Sequence, residues 1–130
     1  METKLQKYRP YVLSLLRVIA ALVLFSYGTQ KILGFPATDR VPPAYSLSWT
    51  AGLFELILGF ALFVGFYSRA SAFILSGLMA FAYFLSHFPR GFYPAQNGGV
   101  AAILFCFIFL YLAVSGPGPF SIDSWKKGRR

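Results

Sequence analysis

Glu55 sits in the stretch GLFELILGF, with Gly52 three residues before it and Gly59 four residues after it. That spacing puts all three on one helix face, and small residues on such a face let a second membrane helix approach closely. A carboxylate held there can accept a proton, anchor a polar ligand, or pair with a buried cation such as Lys31 or Arg17. Three further ionisable groups stand in or beside equally apolar sequence: Arg17 in LLRVIAALV, Lys31 in SYGTQKILGF, and His87, the sole histidine, in FLSHFPRGF. An ionisable group inside a membrane span costs at least about 2.5 to 3.5 kcal/mol and is a functional candidate by default. His87 offers a proton relay near neutral pH or a cap at the end of a helix. Arg17 offers a buried cation or a side chain that snorkels to headgroups.

The elements that must position these groups follow from composition. Of 130 residues, 57% are hydrophobic and only 12% charged, against about a quarter charged in soluble domains. The charges avoid four apolar runs, at about 11–33, 47–66, 70–86 and 100–115. A run of about 18 or more apolar residues reads as a membrane helix, and the third and fourth runs lie near the lower limit of about 17. The runs are apolar all round, which excludes the alternating strands of a barrel. The first is too long for the core of a cleaved signal peptide and is expected to stay in the mature chain. The predicted fold is therefore all-α: an integral membrane four-helix bundle forming one domain over residues 1–130.

Charge placement gives an orientation. Lys4, Lys7, Arg9, Arg69, Lys126, Lys127, Arg129 and Arg130 fall on one side of such a bundle, and Lys31, Arg40 and Arg90 on the other. Positive charge in short loops marks the cytoplasmic side, so both termini are expected there. The net charge of +8 then answers to the lipid bilayer and its anionic headgroups rather than to nucleic acid. The lone cysteine, Cys106, permits no intramolecular disulfide and reads as a small packing residue. There is no cysteine or histidine cluster for a metal or an iron–sulfur centre, no phosphate-binding motif, and no sign of a covalently bound cofactor.

The connections place the polar residues. Residues 34–46 form the longest loop, rich in proline and able to fold over the outer mouth of the bundle. The stretch HFPRGFYPAQNGG, His87 to Gly99, makes the second outer hairpin, and GPGPF ends the fourth helix. Tyr27, Gln30, Lys31, Tyr83, His87, Arg90 and Asn97 lie at these outer ends, while Glu55 lies about 12 Å deep at 1.5 Å per residue. Together they outline an outward-opening pocket with Glu55 at its floor. Arg17 stands apart, about 9 Å in from the opposite end. A Tyr-x-x-x-basic pattern followed by Gly-Phe occurs at both hairpins, at Tyr27 with Lys31 and at Tyr83 with His87, and hints at an internal duplication.

These residues also carry a family resemblance. Arg17, the Gly28 to Lys31 spacing, Glu55, His87 with Arg90 to Phe92, and Asn97 to Gly99 resemble the pattern of the DoxX family of small bacterial membrane proteins, over about Leu15 to Asp123. One position departs: the family pattern continues Asn-Gly-Gly-Glu, and this chain has Val100 instead. The resemblance implies a multi-pass protein of the bacterial inner membrane associated with redox chemistry. On that basis the chain is expected to be an accessory subunit of a membrane redox complex, touching a quinone head through Glu55, Lys31 and His87, with other membrane redox subunits as partners. The alternatives are a small proton-coupled transporter using Glu55 and a membrane scaffold. No catalytic residue is assigned.

Overall fold

The computed structural model describes residues 2–34 and 45–128. Arg40 and the prolines expected in the first outer loop, and Arg129 and Arg130, lie outside the described residues. After a short α1 (Glu2–Gln6), the chain forms α2 (Arg9–Leu33), α3 (Leu47–Val64) and α4 (Ser68–Ala82). A π-helical turn (Tyr83–His87) and a 3-10 turn (Phe88–Arg90) prolong α4, and α5 (Pro94–Asn97), α6 (Val100–Ser115) and α7 (Ile122–Gly128) follow. Among the described residues there is no strand. The segments Arg9–Leu33, Leu47–Val64 and Ser68–Arg90 are long and apolar enough to cross a membrane, and α6 is a shorter apolar helix.

Each boundary has a local cause. Gly34 ends α2 in the left-handed conformation at φ +73°, its N–H returning to the Thr29 and Gln30 carbonyls, the usual way a glycine closes a helix. Ser46 opens α3 by accepting the Trp49 N–H, as an N-cap does. Between α3 and α4 the chain turns within three residues, with Gly65 at φ +77° and Tyr67 at φ +49°, which makes the two helices antiparallel neighbours.

In this arrangement α2 packs along α3, α4 along α6, and α3 against α4. The interior holds Ala21, Leu24, Leu62, Leu75, Phe109 and Leu112, but also Ser14, Arg17, Glu55, Ser68, Ser71 and Ser76. Meanwhile Leu15, Ile19, Ile57, Phe60, Phe73, Leu104 and Phe107 face outward. Water would punish that distribution, because buried charges and large exposed apolar patches are both unusual in soluble domains. Hydrocarbon favours it, since the polar groups must then find partners inside the protein. Ser76 does so by donating from Oγ to the Cys106 carbonyl at 2.7 Å, joining α4 to α6.

Glycine sets how closely α2 and α3 approach. A methyl group at Gly28 would fall 2.9 Å from the Leu56 nitrogen and 3.0 Å from the Gly52 carbonyl oxygen, both backbone atoms that cannot swing away. At Gly59 the nearest atoms would be 3.6 Å away, an ordinary contact. Gly28→Ala is therefore expected to cost about 1–3 kcal/mol by overpacking. Gly59→Ala should be neutral or slightly stabilising, because alanine is the better helix former by up to about 1 kcal/mol. Melting temperatures of the two variants in the same detergent check the order; equal losses would mean that α2 and α3 are not held at this distance.

Candidate functional site

α3 carries Glu55 into the helix pairing, where it is 2% exposed. Opposite it, α2 brings Lys31, whose Nζ lies 2.9 Å from Glu55 Oε1. The lysine stem reaches across α3 only because Gly52 has no side chain: a Cβ there would come within 2.7 Å of Lys31 Cβ. The Gly52, Glu55, Gly59 face thus has a division of labour, with one glycine making room for the cation that pairs with the carboxylate. The second carboxylate oxygen, Oε2, is buried and has no hydrogen-bond partner. A buried acceptor without a donor is costly, on the order of 1–3 kcal/mol, and such atoms are uncommon enough to need an explanation.

Glu55 also borders open space. A cavity of about 160 Å³ is lined by Glu55, Lys31, Tyr27, His87, Met79 and Phe105, together with small residues of α6 and its approach such as Gly98 and Ala102. His87 reaches it because the last turn of the α4 segment is a π turn, in which the Phe88 N–H bonds back to the Tyr83 carbonyl. The π turn breaks the α-helical register at Tyr83, and π bulges of this kind are common at functional sites. Tyr83 itself is buried, with its ring 6.3 Å from that of His87, so it backs the imidazole rather than lining the cavity. Tyr27 packs edge-on against Phe105. One carboxylate, one ammonium and one imidazole therefore converge from three helical segments, and among the described residues no group of three His, Cys, Asp or Glu side chains does.

The other residues of the expected pocket lie elsewhere. Gln30 is half-buried and Arg90 is exposed, and neither lines this cavity. The side chain of Asn97 lies outside the described residues. Arg17 belongs to the opposite end, about 20 Å from Lys31 along α2 at 1.5 Å per residue. Its guanidinium neither snorkels outward nor pairs with Glu55. It is 1% exposed and donates to the carbonyls of Pro117 at 2.5 Å and Phe120 at 2.7 Å, with a longer contact to Phe63 at 3.4 Å.

Arg17 thereby organises a second polar centre that sequence reasoning missed. Ser14 Oγ accepts the Phe120 N–H at 3.2 Å. Asp123 accepts the Tyr67 and Ser68 N–H groups at 2.8 and 2.7 Å, so the C-terminal segment supplies the N-cap that α4 lacks in its own sequence. Arg69 returns the contact by donating to the Val114 carbonyl at 2.6 Å, near the end of α6. The start of α2, the α3–α4 turn and the segment after α6 are consequently gathered at one end of the molecule, and the Glu55 cavity lies toward the other. The signal in the sequence was Gly-Pro-Gly-Pro, whose two prolines lack N–H groups and leave carbonyls needing a donor from another element.

A helical chain that turns its apolar side chains outward and buries an ion pair and an arginine is an integral membrane protein. It belongs to the DoxX family, whose model matches residues 12–88. The chain is also 38% identical over 126 residues to an uncharacterized protein of Haemophilus influenzae, covering 92% of this chain and 94% of that protein. A second uncharacterized protein of the same organism is 28% identical over 123 residues, with 86% and 81% covered. No solved structure matches.

Proposed function

We propose that this protein is a four-helix protein of the bacterial inner membrane, with both termini cytoplasmic, that serves as an accessory subunit of a membrane redox complex and contacts a quinone head at Glu55. The observation that carries the reading is Glu55, which lines a cavity together with Lys31 and His87 and whose Oε2 is a buried acceptor without a hydrogen-bond partner. The residues fit such a head group in both of its states. The hydroxyl of a reduced head has the donor that Oε2 lacks, and the carbonyl of an oxidised head can accept from Lys31, which has three donors and gives one to Glu55. When bound, a quinone supplies the electron chemistry; this chain binds and orients the head, and Glu55 and His87 offer places for a proton. The Val100 position removes one family carboxylate from the mouth and leaves Glu55 as the acid on which the reading depends.

The orientation rests on the basic residues: among the described residues, Lys4, Lys7, Arg9, Arg69, Lys126 and Lys127 belong to the elements at the end gathered by Arg17, as the positive-inside rule requires of the cytoplasmic side. Reporter fusions active only outside the cytoplasm should be silent after Arg130 and active near Pro94; the reverse pattern sinks the orientation. The clamp at the Arg17 end also weighs against the transporter reading, since a substrate released to the cytoplasm would have to displace it. Quinone contact is tested by mass spectrometry of the gently extracted native complex, for lipids and for proteins. Wild-type protein should carry a quinone together with redox subunits, and Glu55→Gln, while still showing a cooperative melting transition, should lose the quinone. Equal retention by both chains would overturn the reading.

A further inference from the structure

Beside the Glu55 cavity lies a second and larger space. A groove of about 660 Å³ runs between α3 and the α4 segment, walled by Ala51 and Phe54 on one side and Leu78, Phe81 and Leu85 on the other, with the hydroxyl residues Ser46, Ser48 and Thr50 lining it at the start of α3. Phe54, Phe81 and Leu85 are each about half exposed, so the groove opens sideways, toward what would be hydrocarbon in a membrane. Its volume is within the range of about 300–1,000 Å³ usual for small-molecule sites. Two residues line both spaces: Lys31 and Ala82. The partition between the apolar groove and the polar cavity therefore includes a methyl group and a flexible lysine stem. Ala82 is also the last residue of regular α4 before the π turn.

We propose that the groove seats the hydrocarbon chain of the molecule whose head is held at Glu55, and that this molecule enters sideways from the bilayer past Lys31 and Ala82. The ligand class is a membrane-dissolved amphiphile: one long apolar chain joined to a compact head that has a hydrogen-bond donor. The inference rests on the proposed role of Glu55 for its head, and on the groove alone for its chain. An aqueous ligand would need no apolar groove beside its site. A bulk phospholipid could fill the groove, but it brings two chains and a phosphate-bearing head where this class brings one chain and a compact head.

Affinity is a poor test, because lipid tails solvate the chain as well as the groove does and leave no hydrophobic gain between them. Location is the better test. The full chain in lipid nanodiscs would be photolabelled with a decyl hydroquinone bearing a diazirine at the end of its chain, and the adducts mapped by peptide mass spectrometry. Adducts are expected on α3 and α4 between residues 47 and 85, to be suppressed by excess chainless hydroquinone, and to disappear in Ala51→Trp. Leu85→Trp is the second groove-filling variant should the first fold poorly. Adducts that chainless hydroquinone suppresses, but that are spread over the outward faces of α2 and α6 and indifferent to both tryptophans, would overturn the groove while leaving the role of Glu55 standing. Adducts that chainless hydroquinone does not touch would overturn both.

Discussion

Arg17→Met is expected to lower the stability of the purified protein by about 3 kcal/mol or more, since each hydrogen bond to a charged group contributes about 1.5–3 kcal/mol and Arg17 makes two short ones, to Pro117 and Phe120. Methionine keeps the length of the side chain but offers no donor. The Pro117 and Phe120 carbonyls then have to find water or stay unpaired, and the prolines at 117 and 119 contribute no N–H with which the segment could fold back on itself. The loss should spread. Asp123 reaches the N-terminus of α4 only while the segment is docked, so the α3–α4 turn at Tyr67 and Ser68 should loosen with it. A lysine at this position restores the charge but places a single nitrogen where the guanidinium spans two carbonyls, and should recover less than half of the loss. Melting in detergent reads the energy, and protease cleavage between α6 and α7 reads the undocking. Unchanged melting with an intact C-terminal segment would show that docking does not depend on Arg17.

Why the Arg17 centre was hidden while the Glu55 face was not is a matter of which signals a sequence carries. Helical identity follows from apolar runs, and the buried faces of α2 and α3 follow from residues recurring three and four apart, so spacing alone puts Gly52, Glu55 and Gly59 together. The partners of Arg17 are backbone carbonyls some hundred residues away, and a carbonyl has no sequence signature. In α4 the same spacing rule predicts a stripe through Ser76, Ala80, Tyr83 and His87. Ser76 and Tyr83 are buried, together with Leu75 and Met79, whereas Ala80 and His87 are half-buried, and beyond Tyr83 the π turn replaces the register the rule assumes. Gln30 shows a further limit. Spacing along the chain put it at the correct depth, but it lies one residue from Lys31, and a single step turns about 100° around the helix at 3.6 residues per turn. Depth is legible from counting, whereas direction depends on knowing which face is packed. The Lys31–Glu55 pair was one of two pairings the sequence allowed, and the glycine at 52 that admits the lysine stem is what decides it.

The pair itself yields the second large effect, and its two halves should differ. Removing one partner of a buried ion pair costs about 3–5 kcal/mol, because the other is left as an uncompensated charge. Lys31→Met strands the carboxylate, whose side chain is 3% exposed, and should cost an amount in that range. Glu55→Gln strands the ammonium, whose side chain is 28% exposed and lies on a long flexible stem. That group can swing away from the carboxylate and recover hydration, so the loss should be smaller, about 1–2 kcal/mol by the cost of one lost hydrogen bond to a charged group. The double variant leaves no lone charge and should be more stable than Lys31→Met alone, with a coupling energy of at least about 1 kcal/mol, inside the range seen for residues in direct contact. Melting of the four proteins in one detergent completes the cycle. Additive losses would mean that the 2.9 Å contact contributes nothing as a pair. A Glu55→Gln loss larger than that of Lys31→Met would mean that the lysine, not the carboxylate, is the group with nowhere to go.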